Sequence, residues 1–271
     1  MKLPLLAFFI LLLSSGAGAQ TVDALGTFTP YSLFGIGEIE KQGSAMNIGM
    51  GGIGVAVRNN RFINYLNPAS ITERDTLSFM MDVGMDIKNF YNKDNDVSSA
   101  YNAFNMRNIV ITLPIYKKSA LILGFVPISN IGYKFASPET DPLIVSKYGD
   151  IKYYKYGSGS VNKLFVGGAL NIGKKLAVGV ELIDYFGTLY KHSDVEFSSD
   201  NTIRTIVSGN DYTISAFSAK FGAQFFTPFA NDKYLLTLGA TYSIGRDLGG
   251  DITDYSYATD ATGISVDTLY H

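Results

Sequence analysis

The sequence has 271 residues, and 17% of them are charged, against about 25% in a typical soluble domain. Its formal net charge is −2, so no basic surplus points to nucleic-acid binding. Cysteine is absent, which excludes disulfides, thiolate metal sites and a cysteine nucleophile.

Residues 1–19 predict a secretory signal peptide. Lys2 supplies the positive charge, and the apolar core at 3–13 is too short to span a bilayer. Small residues follow it, and Ala17-Gly18-Ala19 has the A-x-A form of a cleavage site. We therefore expect export and cleavage after Ala19.

Residues 20–75 show neither strand alternation nor a helical stripe, and they are rich in Gly, Asn and Ser. The stretch from Gly49 to Gly54 literally matches G-x-G-x-x-G, but a dinucleotide site needs a strand before it and a helix after it. A tight backbone path fits the glycines better. We interpret residues 20–75 as a hatch, or plug, inside a barrel.

Apolar residues alternate with polar or small ones from residue 77 onward, which indicates β-strands. Seven strands are predicted, at 77–87, 109–115, 121–125, 164–172, 176–182, 217–225 and 236–244. Short turns alternate with long polar stretches, at 89–105, 136–160 and 191–211. Outer-membrane barrels have short periplasmic turns and long external loops. Residues 76–271 therefore predict an all-β, transmembrane antiparallel barrel in the outer membrane of a Gram-negative cell.

Polar side chains occupy positions predicted to face the lumen. They are Asp82, Asp86, Glu181, Lys220 and Gln224. They would form either a polar pathway or latch for the hatch, or a set of salt bridges that fills the lumen. The two histidines are His192, at the start of a predicted polar loop, and His271, the last residue given. Neither is set among the partners that a zinc site or a hydrolase triad requires. No catalytic residue, metal or cofactor is predicted, and we expect that the protein is not an enzyme.

Pro127 lies inside the third predicted strand. Proline has no N–H and interrupts a ladder, so it predicts a local gap in the wall; alternatively it lies above the membrane, where the hairpin frays. Ser129 and Asn130 could bond the freed backbone groups, and Gly132 could supply a positive φ at a bulge. We expect such a gap to face the segment near Asn67.

Four stretches resemble the long-chain fatty-acid outer-membrane transporter family (FadL and the toluene transporters). They are Phe-Gly-Ile-Gly-Glu at 34–38, the glycine run at 50–56, Asn67-Pro68-Ala69, and 124–133 around Pro127. The Tyr-rich, Trp-free composition is similar to that of members from Bacteroidota. Seven strands are about half of that family's barrel, so we expect that the chain continues beyond 271 and that 247–271 is an unfinished external loop.

The resemblance implies passive uptake of hydrophobic, fatty-acid-like small molecules. The ligand would pass the hatch and leave sideways through the kinked third strand, and the partners would be this ligand and outer-membrane lipid. Two alternatives remain open: a protein-binding barrel, such as a shuttle component of type IX secretion with its partner at the external loops, and a structural surface barrel.

Overall fold

In the computed structural model, residues 25–73, 79–94, 97–116, 119–197, 205–231, 233–259 and 265–270 are described. The predicted signal peptide and its cleavage site lie outside these residues. Strands make up 67% of the described residues. No helix of the described part is long and apolar enough to cross a membrane.

The N-terminal segment, residues 25–73, is mostly irregular. It contains a 3-10 turn at Pro30–Leu33, the short strand β1 at Glu38–Ile39, helix α1 at Ala45–Gly49, and a second 3-10 turn at Pro68–Thr72. Local capping explains these pieces. A capping box joins Ser44 and Asn47 at the start of α1, and prolines occupy the first positions of both 3-10 turns.

Nine further strands form the wall with β1. They are β2 (Met80–Asp94), β3 (Val97–Tyr116), β4 (Ser119–Pro138), β5 (Ile151–Ile172), β6 (Leu176–Phe197), β7 (Thr205–Phe229), β8 (Tyr234–Ser243), β9 (Gly250–Thr259) and β10 (Ser265–Tyr270), with helix α2 (Pro142–Tyr148) between β4 and β5. All pairs are antiparallel. The result is one curled sheet, an open half-barrel.

Alternation along β6 shows how the sheet is oriented. Val180 and Leu182 are exposed on the convex face, whereas Glu181 and Ile183 are buried on the concave face. The N-terminal segment lies against that concave face: Ile63, Tyr65 and Ile71 share a buried cluster with wall residues. The all-β, antiparallel architecture predicted from the period of two is confirmed.

The predicted long external loops are wrong. Most of 89–105 lies in β2 and β3, and 191–211 lies largely in β6 and β7. Helix α2 and the ends of β4 and β5 account for most of 136–160. Likewise, 247–271 contains β9 and β10 rather than only a loop. These parts of the strands are polar on both faces, so they carry no hydrophobic period.

The wall is interrupted at two places. The β3–β4 ladder ends at the pair Ile109–Phe125, although both strands continue beyond it. On the other side, β8 and β9 both pair with β7 but are separated by residues 244–249. Strands β2 and β8 do not pair with each other, so the sheet stays open over the described residues.

Candidate functional site

The candidate site is the interface between the N-terminal segment and the concave face. Asn67 is fully buried. Its Nδ2 donates to the carbonyl oxygens of Val55 (2.7 Å) and Ala223 (3.2 Å), and its Oδ1 accepts from the Ala69 N–H (3.0 Å). This side chain therefore caps the second 3-10 turn and also ties it to the wall.

Two glycines of the wall receive this turn. A Cβ at Gly222 would collide with Asn67 and with the Pro68 ring, and a Cβ at Gly179 would meet the backbone of Pro68 and Ala69. Asn67-Pro68-Ala69 thus lies against β6 and β7. The expectation that this motif faces a gap at Pro127 is wrong. Gly179 and Gly222 have no side chain, so the turn packs closely on β6 and β7 instead.

An ionic and amide network fixes the segment beside this turn. Arg58 donates to the Gln224 Oε1 atom (3.0 Å) and forms an ion pair with Glu73 (2.5 Å). Its guanidinium stacks 3.9 Å from the centroid of the Phe226 ring. Gln224, which is fully buried, donates in turn to the Val55 carbonyl oxygen (2.9 Å). One predicted luminal residue thus holds the segment in place.

Glu181 and Lys220 form a second polar group beneath the segment. They are direct cross-strand partners on β6 and β7. The Lys220 Nζ donates to the Leu66 carbonyl oxygen (2.5 Å). Glu181 is fully buried, and its carboxylate oxygens accept no hydrogen bond from any described residue. Lys163, 4.6 Å above the Phe165 ring, adds a second cation near this carboxylate.

Asp82 and Asp86 are bonded within the β2–β3 hairpin instead. Asp82 accepts from Asn108 (3.2 Å), and Asp86 lies 3.5 Å from the Arg107 guanidinium. The structure therefore brings Glu181, Lys220 and Gln224 together beneath the N-terminal segment but leaves the two aspartates on another part of the wall.

Pro127, Ser129, Asn130 and Gly132 were predicted to form a gap in the wall. They lie along the upper edge of β4, beyond the point at which β3 stops pairing with it. Pro127 pairs with β5 across a register shift that ends at Ser129. Ser129 donates to the Ile36 carbonyl oxygen (2.9 Å), and Asn130 donates to the Glu40 Oε1 atom (2.7 Å). The ladder to β3 does end here, but the N-terminal segment fills the space.

Gly132 is required for a reason that the sequence did not reveal. It has no positive φ, so the predicted bulge conformation is wrong. A Cβ there would collide with the carbonyl of Thr27. Its N–H donates to the Ser32 Oγ atom (3.1 Å), and its carbonyl accepts from the Thr29 N–H (3.0 Å). Close backbone approach, rather than a kink, selects glycine at this position.

Sequence reasoning missed the break between β8 and β9. The Ile244 N–H donates to Ala219 and the Ser215 N–H to Gly249, both at 2.9 Å, so the ladder is interrupted between these bonds. A cavity of about 310 Å³ opens beside the break. Its lining includes Ile128, Val161, Tyr185, Ala216, Ile244 and Leu248. Two glycines and two charged residues within 245–249 were the available signal.

A family model, BamG, matches residues 1–268. No curated protein and no solved structure matches the chain. The BamG family is associated with the outer-membrane assembly machinery. The identification as a fatty-acid transporter is therefore wrong, as are uptake of hydrophobic molecules, a hatch that admits them and the small-molecule and lipid partners. The type IX secretion alternative is not matched either.

The physical reason for this error lies in the motifs. Asn67-Pro68-Ala69 encodes a capped 3-10 turn packed on wall glycines, and any segment packed in this way would favour such residues. They report packing, not a ligand. The outer-membrane association expected from the sequence agrees with the family. Because the match spans nearly its whole length, the chain belongs to the BamG family.

Proposed function

We propose that this chain is a membrane-embedded subunit of the machinery that assembles outer-membrane proteins, and that it acts by binding another protein of that machinery. The family match over residues 1–268 carries this proposal. The expectation that the protein is not an enzyme is retained as part of it.

The convex face supports a position in the bilayer. Leu182, Phe217 and Leu238 are 62%, 71% and 58% exposed there. From Leu176 to Phe186, β6 would rise about 25 Å if it were tilted like other barrel strands, which is the usual height of a lipid-facing apolar band. Exposed apolar side chains on this scale need a covering of lipid or protein.

The concave face supports a binding role rather than passage of a solute. Buried residues of the N-terminal segment cover the inner side of β4–β7, and Tyr65 and Ala69 are almost completely inaccessible. Asn67, Arg58 and Lys220 tie the segment to the wall through main-chain and side-chain bonds. A transport path would require breaking many of these buried contacts at once.

Conditional depletion of the protein tests this function. Quantitative proteomics of the outer membrane should show that many unrelated β-barrel proteins decrease together, and a wild-type copy should restore them. Variant Asn59→Ala, which changes an exposed residue of the segment, should restore them equally. Unchanged barrel-protein levels after depletion would contradict the proposal.

A further inference from the structure

We propose that the β4 edge from Pro127 to Gly132 is a docking site for an extended segment of a partner protein, and that residues 29–42 of this chain occupy it as an exchangeable placeholder. The inference rests on the proposed function, since that function requires a protein partner. It adds where the partner binds and what kind of segment it presents.

The strand geometry leaves this edge without a long strand partner. Strand β3 pairs with β4 only as far as Phe125, while β4 continues to Pro138. Beyond Phe125, β1 contributes just two residue pairs, Glu38 with Asn130 and Ile39 with Ser129. Edges of this kind pair readily with added strands, because their N–H and C=O groups have no other ladder partner.

Main-chain bonds hold much of the placeholder. The Glu40 N–H donates to the Ile128 carbonyl oxygen (2.7 Å), and the Thr29 N–H donates to that of Gly132 (3.0 Å). Bonds between backbone groups do not depend on side-chain identity. Another extended segment could therefore form the same bonds, and its side chains would determine specificity.

Burial differs sharply between the two ends of the N-terminal segment. Tyr31 and Ile39 are 81% and 70% exposed in the placeholder, whereas Tyr65, Ala69 and Ile71 are between 0% and 3% exposed in the lower part. Apolar burial contributes about 25 cal/mol per Å², so these placeholder side chains contribute little to docking. Leu33 and Ile36 of the placeholder do pack against the buried cluster that contains Ile131 and Tyr133. An incoming segment must therefore replace these contacts as it displaces the upper part, while the lower part stays bound.

The side chains around the β4 edge also favour a particular sequence in the partner segment that binds there. The Lys88 Nζ lies 2.5 Å from Glu40 and 3.7 Å from Glu38, two carboxylates on one side of β1. Gly37, with φ +96°, precedes them, and a Cβ there would collide with the Asn130 carbonyl. The matching partner segment is thus extended, with a small residue followed by acidic, apolar and acidic residues.

Two kinds of variant, one that locks the placeholder on β4 and one that releases it, test the exchange together with a peptide probe. Because Glu40 and Ile128 form a hydrogen-bonded pair, Ile39 and Ser129 form a non-hydrogen-bonded one, with Cα atoms about 4.5 Å apart. That spacing suits a disulfide, and the chain has no native cysteine. Ile39→Cys with Ser129→Cys should lock the placeholder when oxidised. Glu40→Pro removes the N–H bonded to Ile128 and should open the site.

The probe is a fluorescent peptide of residues 35–42, and the control peptide has glutamine at both glutamate positions. Fluorescence anisotropy with purified full chain should show at least tenfold tighter binding to Glu40→Pro than to the oxidised protein. Reduction should restore binding to the cysteine variant, and the control peptide should bind less tightly. Thr29→Pro, which removes the bond to Gly132, serves as a second open variant.

Equal binding to the open and oxidised forms, or no binding to any folded open variant, would overturn the docking site. This result would be independent of the proposed function, because the assay uses the purified protein alone. Conversely, if depletion left the barrel proteins unchanged, the proposed assembly function would be contradicted. The peptide binding measured with the purified protein would still stand.

Discussion

Asn67 is the side chain on which docking of the lower N-terminal segment depends most directly. Replacement by alanine removes hydrogen bonds to Val55, Ala223 and Ala69 and a longer fourth one, of 3.5 Å, to Ala240, at a position with no solvent access. At about 1 kcal/mol net for each of the three shorter bonds, the change should destabilise local docking by about 3 kcal/mol. That corresponds to a roughly 150-fold larger open population.

Native-state hydrogen exchange measures this opening directly. The Ser70 and Glu73 amides, which bond within the second 3-10 turn at 3.0 and 3.1 Å, should lose protection in Asn67→Ala while the β5–β6 amides keep theirs. Arg61→Ala, at an exposed position of the same segment, should change stability by less than about 0.5 kcal/mol. Equal protection in Asn67→Ala and wild type would refute the proposed role of this side chain.

Three further outcomes are expected. Gly222→Ala should displace the asparagine–proline pair of the second 3-10 turn and increase limited proteolysis of the segment, whereas Gly245→Ala, with open space around it, should not. Leu182→Lys should reduce the heat-stable folded fraction on gels, because a lysine at mid-bilayer costs about 2–4 kcal/mol; an unchanged fraction would argue against lipid contact. Backbone N–H donors before α2 and the Tyr153 hydroxyl lower the pKa of Glu139. This contribution to local stability is therefore present above the ordinary carboxyl pKa and lost as pH falls through the lowered value. Tyr153→Phe should move that pKa back towards its usual range in an NMR titration.

The sequence predicted the lower halves of the strands well because one face of each is apolar. Val178, Val180 and Leu182 alternate with Gly179 and Glu181, and this period of two is a physical signature of a sheet with unlike faces. The upper halves carry serine, tyrosine, lysine and aspartate on both sides, as in 151–160 and 191–197. Pairing with neighbouring strands, a tertiary effect, makes these residues strands.

The interface was less predictable than the wall. The sequence groups Gln224, Glu181 and Lys220 as inward polar residues. Which of them contact the N-terminal segment depends on how that segment crosses the four strands β4–β7. Glycines 132 and 222 are selected by contacts with residues more than a hundred positions away. Composition does not encode such distant contacts, and short motifs that report packing were misread as signs of a ligand.

Binding of this chain to other proteins of the outer-membrane assembly machinery can be measured by purifying the tagged full chain from outer membranes in mild detergent, followed by quantitative mass spectrometry. We expect core proteins of the machinery to co-purify in near-stoichiometric amounts and to be absent from a mock purification. Recovery of the chain without any of them, at a detergent strength that keeps the machinery itself intact, would contradict the proposed function.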